Sequence, residues 1–368
     1  MNNFTHGGNL REAVDKYNIS GDKIIDFSSN INPLGIPDSI KKLISKEIDE
    51  IYHYPDPEYK LLKKALSKSL NVNTKNLLPG NGSNELIYLL VNIFAPKRAL
   101  ILVPAYSEYE RASISVNSMC EFLNFMIDDR FDFNVDRILE KAYRGVDVIF
   151  ICNPNNPTGF LVHGDEIKYL VKECSKKNIF VIVDEAFMDF IERDEKFTLV
   201  EFAAGRKNVA VLRALTKFFA IPGLRLGCLV GHSELVEKLL KRQPTWSVNN
   251  LAQLIGIELL KNRDFIKKSR EYVLKEKDVF FKDLRELAWL EPFKPSANFI
   301  LCRINNSKIT SDKLRSYIAK NFGMLVRDCS NFRGLDNKFI RLAVKTGREN
   351  KKLLSCLKKY YMNLYKGK

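Results

Sequence analysis

Apolar, β-branched runs alternate with amphipathic stretches through the middle of this chain. Ala99–Pro104 (ALILVP), Val146–Asn153 (VDVIFICN), Ile179–Asp184 (IFVIVD), Val209–Leu215 (VAVLRAL) and Leu226–Gly231 (LGCLVG) are almost continuously hydrophobic. Strands buried on both faces read this way, so the pattern predicts an α/β fold with a mostly parallel sheet covered by helices. Residues 84–94, 135–143 and 164–177 carry a helical period. The texture changes after Pro244. Residues 250–285, rich in Leu, Lys and Glu, predict a helix long enough to bridge two bodies. NFILCRI (298–304), GMLVRD (323–328) and FIRLAV (339–344) then predict strands of a smaller α+β unit. The first 35 residues lack a strong period until KIIDFSSNINPLG and predict an arm that crosses the body. The expected division is an arm at 1–38, a large domain at 39–249, and a linking helix with a small domain at 250–368.

A length of 368 residues suits two packed units. No apolar run reaches the roughly 18 residues of a membrane span. The opening MNNFTHGGNL has no apolar leader core. Seven cysteines are scattered at 120, 152, 174, 228, 302, 329 and 356 with no CxxC pair, and four histidines form no HExxH pair. This usage predicts reduced thiols in a cytoplasmic protein without a zinc site. The net charge of +15 raises the question of nucleic acid. The lysines, however, come as dispersed pairs such as Lys41-Lys42, Lys176-Lys177 and Lys267-Lys268, with acidic residues close to most of them. Solvated helix faces are therefore expected, with no nucleic-acid partner, and a positive field that attracts small anions.

Candidate chemistry begins at LRALTKFFAIPGLRLG (212–227). Lys217 follows Thr216 at what reads as the end of a buried strand, and Arg225 follows a Pro222-Gly223 turn. A desolvated lysine is an amine nucleophile suited to Schiff-base chemistry, and a hydroxyl with a guanidinium supplies the donors a phosphate needs. Together they predict a seat for pyridoxal 5'-phosphate. Asp184 closes another strand, where a buried carboxylate would keep the cofactor's ring nitrogen protonated. In NPNNPTG (153–159), Asn156 lies between two prolines and would donate to the ring 3′-oxygen. Gly82, Ser83 and Asn84 precede the apolar helix ELIYLLVNIF and form a candidate anion seat. Tyr106, in PAYSEY, would stack on the ring. Taken singly, each has a plainer reading: Asp184 or Ser83 as a helix cap, NPNNPTG as a turn, Tyr106 as packing.

The assembled pattern resembles the fold-type I pyridoxal-phosphate enzymes, with a large domain on a mostly parallel sheet and a smaller α+β domain. It is similar to histidinol-phosphate aminotransferases, and closer to their sister family, the L-threonine-O-3-phosphate decarboxylases of cobalamin biosynthesis. HGGN (6–9), DFSSNINPLG (26–35), YPDPEY (54–59), NPNNPTG, DEAF (184–187), LTKFFAIPGLRLG (215–227) and WSVN (246–249) appear in order, and Arg327–Asn331 matches a late RxC-N segment. The aminotransferases resemble DEAY, whose tyrosine bonds the cofactor; Phe187 has no hydroxyl. The resemblance implies that Lys217 holds the cofactor covalently and that Gly82, Ser83, Asn84, Thr216 and Arg225 cradle its phosphate. It also implies a homodimer in which Tyr54 reaches that phosphate from the partner subunit. His6, Gly7, Asn30, Asn156, Arg327 and Arg341 would surround a phosphorylated amino acid. Ala214 departs from a hydroxyl common in relatives, and Asp328 from a small residue, so that it would temper the charge of Arg327. The expected activity is decarboxylation of L-threonine O-3-phosphate to (R)-1-amino-2-propanol O-2-phosphate. The rivals are a histidinol-phosphate aminotransferase and a noncatalytic basic binding module.

Overall fold

One reversed strand in the larger sheet decides where the chemistry falls. The computed structural model describes residues 7–19, 24–127 and 130–365. Its larger sheet has seven strands in the order Leu77–Asn81, Leu226–Gly231, Val209–Ala214, Phe180–Asp184, Val148–Cys152, Arg98–Val103, Met119–Asn124. The last five pair in parallel. Leu226–Gly231 runs antiparallel to both of its neighbours. The carboxyl ends of six strands therefore share one edge with the amino end of the seventh. Successive residues of each strand enter opposite cores: Ile149, Ile151, Val181 and Val183 face one, Phe150, Ile182, Ala210 and Leu212 the other. Burial on both faces explains the unbroken apolar runs.

The stretch 250–285 is two helices, Asn250–Lys261 and Arg263–Arg285. Asn262 separates them, because its side-chain oxygen accepts from Phe265 N at 3.1 Å and caps the second helix. The first helix buries Ala252, Ile255 and Leu259 in a core of the large sheet. The second puts Val273 into that same core and Phe280 and Leu284 into the core of a smaller sheet. That smaller sheet is antiparallel, in the order Leu290–Pro292, Phe299–Ile304, Phe339–Ala343, Arg327–Asp328. The predicted strand GMLVRD divides into Met324–Leu325 and Arg327–Asp328, and the former pairs with Ile25–Asp26 of the arm.

The arm is stitched to the body at the lysine. Asn32 N donates to Lys217 O at 3.0 Å, and its side-chain amide donates to Phe218 O at 2.7 Å and Ser269 Oγ at 2.8 Å. Surface lysines pair along helices, as Lys41 with Asp38 at 2.8 Å and Lys176 with Glu173 at 2.7 Å. Such exposed pairs add little stability and behave as solvated faces. All seven cysteines are free. Among the described residues, no helix is long and apolar enough to cross a membrane.

Candidate active site

A cavity of about 320 Å³ opens at the shared strand edge. Lys217 lines it, on the short helix Leu215–Phe218 that follows Val209–Ala214, so the strand ends three residues before the lysine. Lys217 is half-buried at its surface. Desolvation, then repulsion from Arg341 and Arg225, lowers its amine from 10.5 to about 8, against an opposite pull from Asp26. Asp184, last in its strand, is buried in the wall. Burial raises its carboxyl, while bonds from Tyr109 Oη at 2.7 Å and Ala186 N at 3.0 Å pull it back down.

The helix expected over 84–94 begins at Gly82. Ser83 and Asn84 thus sit in its first turn, with Asn81 at the cap position, and both line the cavity. First-turn N–H groups have no intrahelical acceptor, which makes the turn an anion seat. The reversed strand delivers Arg225 to the same place, since Leu226 pairs with Asn81 across the sheet. Gly82 holds a φ of +76, which L side chains rarely adopt, and a Cβ there would press on the Arg225 guanidinium that lies over this turn. Thr216, Arg225, Ser83 and Asn84 form one wall; Ala214 is in it and adds no donor. Tyr106 lies across the cavity, edge-on to Tyr109 at 5.7 Å.

The opposite wall comes from the arm and the small sheet. Gly7, Asn30, Arg327 and Arg341 all line the cavity, and so does Asn156. Arg341 donates to Asn156 Oδ1, and to Ser28 O at 2.8 Å. Burial lowers its guanidinium to about 10, still charged at neutral pH. Arg327 donates to Asn331 Oδ1 at 2.7 Å and Asp328 O at 2.6 Å and lies 4.9 Å from the Phe332 ring centroid. Arg327 and Arg341 are direct cross-strand partners. The Asp328 carboxylate accepts from Ser311 Oγ at 2.7 Å and Ser330 N at 2.9 Å, and its charge also acts on Arg327, opposing the lowering that burial imposes on that guanidinium. Of the expected residues that the structure describes, Gly82 and Tyr54 do not line this cavity. Tyr54 is 79% exposed and stacks on Trp246 at 4.3 Å. His6 lies outside the described residues.

A profile of the family described as "Aminotransferase class I and II" matches residues 22–357. The chain belongs to the class I and II aminotransferase family. It is 36% identical to the threonine-phosphate decarboxylase of Salmonella typhimurium over 97% of this chain and 96% of that protein. It is 32% identical to the adenosylcobalamin biosynthesis bifunctional protein CobDQ of Leptospira interrogans, covering all of this chain and 42% of that one. The solved histidinol-phosphate aminotransferase of Clostridium acetobutylicum superposes with a TM-score of 0.85 at 33% identity, over 92% of this chain and 100% of that one.

The residues at the family's expected cofactor site fit pyridoxal phosphate. An amine poised near neutrality, a buried carboxylate and a helix start closed by a guanidinium face one cavity. Three buried atoms of its lining, Asn30 Oδ1, Asn84 Oδ1 and Arg341 Nε, have no partner among the described residues. Such atoms are costly unless something bonds them. Sequence reasoning missed Tyr109, although PAYSEY carried the signal: a spacing of three puts Tyr106 and Tyr109 on one side of a turn. It also missed Ser28, whose backbone oxygen holds Arg341 and whose hydroxyl donates to Asp26 at 2.6 Å. That serine was inside the quoted DFSSN motif.

Proposed function

We propose that the protein is a pyridoxal-phosphate carboxy-lyase that converts L-threonine O-3-phosphate into (R)-1-amino-2-propanol O-2-phosphate for a corrinoid side chain. The observation that carries this reading is the Arg327–Arg341 pair on the wall of the Lys217 cavity. Like charges opposite each other on neighbouring strands repel. An anionic substrate relieves that repulsion, and a substrate with both carboxylate and phosphate uses two fixed guanidiniums. The similarity to the Salmonella decarboxylase along almost the whole chain supports the same choice, as does the Leptospira relative's name for the pathway.

Bound pyridoxal phosphate would accept the electron pair released when a bond to the substrate Cα breaks. The chain decides which bond that is. Arg327 and Arg341 would hold the substrate's anions and so fix which bond to Cα is presented for cleavage. Asp184 Oδ2 keeps the proton on the ring nitrogen, and Tyr109 steadies that oxygen. Asn156, fixed by Arg341, offers its amide to the ring 3′-oxygen, where Phe187 has no hydroxyl to add. Lys217 Nζ delivers a proton to Cα after CO2 leaves. A second chain reaches the cofactor phosphate through Tyr54, exposed here beside Trp246, in a homodimer.

A histidinol-phosphate aminotransferase is the second reading, favoured by the likeness to the Clostridium structure. Incubation with L-threonine O-3-phosphate in the absence of any oxo acid separates the two. Release of CO2 is expected; turnover that requires 2-oxoglutarate and leaves the carboxylate in place overturns the lyase reading.

A further inference from the structure

A second pocket, of about 310 Å³, lies behind the arm wall of the active cavity. It shares Gly7, Gly8, Ser28, Arg327 and Asn331 with that cavity, so the two are joined through a common partition. Its remaining walls come from the helices Leu10–Tyr17 and Ser311–Phe322 and from the segment 325–330. Those helices supply two cations, Lys16 and Arg315, beside the shared Arg327. Tyr17 Oη and Arg315 Nε are buried and have no hydrogen-bond partner among the described residues. The two carboxylates in the lining are both engaged: Glu12 accepts from Asn9 Nδ2 at 3.0 Å, and Asp328 from Ser311 and Ser330. Arg315 donates from Nη2 to Asp312 at 2.9 Å, and its charge also acts on Asp328. Donors from two separate helices, Lys16 and Tyr17 on one and Arg315 on the other, around one pocket suit a compact, multiply charged anion.

We propose that this pocket is a second anion site, which takes the phosphomonoester group of a molecule moving into or out of the adjoining active cavity. Lys16, Arg315 and the Tyr17 hydroxyl are its donors, and Arg327 is the cation the two sites share. The choice of a phosphomonoester rests on the substrate reading above; the anion site itself does not. The experiment is a calorimetric titration of the cofactor-loaded full chain with inorganic phosphate, which needs no turnover. The double variant Lys16→Ala/Arg315→Ala is expected to weaken phosphate binding about tenfold or more, and Tyr17→Phe, which keeps the ring, about threefold. Arg341→Ala, which touches only the first cavity, is expected to keep most of it. Affinity unchanged in the double variant, or lost chiefly in Arg341→Ala, overturns the proposal, because phosphate then sits in the active cavity. A second arm follows turnover of L-threonine O-3-phosphate: the double variant is expected to raise KM several-fold with the cofactor absorbance unaltered. If phosphate binds as described and KM does not move, the site serves free phosphate and its role in substrate passage is overturned. Phosphate binding without any CO2 release would sink the lyase reading and leave the pocket standing.

Discussion

Lys217 is the residue on which the chemistry turns, and its environment gives it a definite pH dependence. With its amine lowered to about 8, roughly one-tenth is neutral at pH 7, against about one in 3000 for an ordinary lysine. The rate at which apo-protein captures pyridoxal phosphate should therefore rise with pH and level off above about 8, not 10.5. A rate still climbing at pH 10 would show that the amine is solvated. Borohydride reduction followed by peptide mapping should label Lys217, and Lys217→Ala should abolish the label. Tyr109→Phe tests the neighbouring carboxylate. Losing a hydrogen bond to a charged group removes about 1.5–3 kcal/mol of support for ionised Asp184. Cofactor affinity should fall about tenfold or more, measured by absorbance titration, with the fold intact because Phe can keep the stack on Phe150.

At the scale of elements, the junctions between strand and helix carry the site. Gly82→Ala places a methyl against the Arg225 guanidinium at a positive φ. It should weaken cofactor binding more than tenfold while the far-ultraviolet dichroism is unchanged; unaltered affinity would mean that Arg225 does not cover the helix start. The turn after Asp184 is fixed from behind by Arg213 on the next strand. Arg213 bonds Asp189 and Glu185, the latter at 3.1 Å, with Asp194 beyond. Burial alone would depress this guanidinium, but the three carboxylates hold it above its ordinary value. Glu185 also accepts from Leu199 N at 2.7 Å and Thr198 Oγ1 at 2.6 Å. Arg213→Ala leaves buried charge uncompensated, a loss of about 3–5 kcal/mol. Chemical denaturation should show that loss at neutral pH, and a variant within 1 kcal/mol of wild type would remove the network from the account. YPDPEY, quoted for its resemblance, works locally in the fold: Asp56 accepts from Glu58 N and Lys60 N at 2.9 and 2.7 Å and starts the next helix.

The whole molecule joins two sheets through one helix and an arm. Helix Arg263–Arg285 enters both cores, and Asn32 ties the arm to the lysine turn. Arg327 and Arg341, from the small sheet, thereby face Lys217 from the large one. Exposed Tyr52, Tyr54, Ile51, Leu61 and Trp246 gather apolar surface on and around the segment that carries Tyr54. We propose that a second copy covers them. Sedimentation should show a dimer, and Tyr54→Ala should weaken cofactor binding without changing the subunit fold. A monomer that binds cofactor at full affinity would contradict the shared site.

Much of this was legible in the chain because it depends on short-range pattern. Unbroken apolar runs announced strands buried on both sides, and Lys217, Asp184 and Asn156 stand near strand ends, where a parallel sheet collects ligands. Composition spoke against a membrane helix, and among the described residues no helix is long and apolar enough to span one. Other features needed distant segments brought together. The reversal of Leu226–Gly231, which sets Arg225 over Gly82, depends on strand pairing that hydrophobicity does not encode. The partnership of Tyr109 with Asp184 spans 75 residues. The opposition of Arg327 and Arg341 is a matter of register, and register follows from how the small sheet packs on its core. Residue type and local period fixed which groups this protein possesses; chain topology alone settled which of them meet.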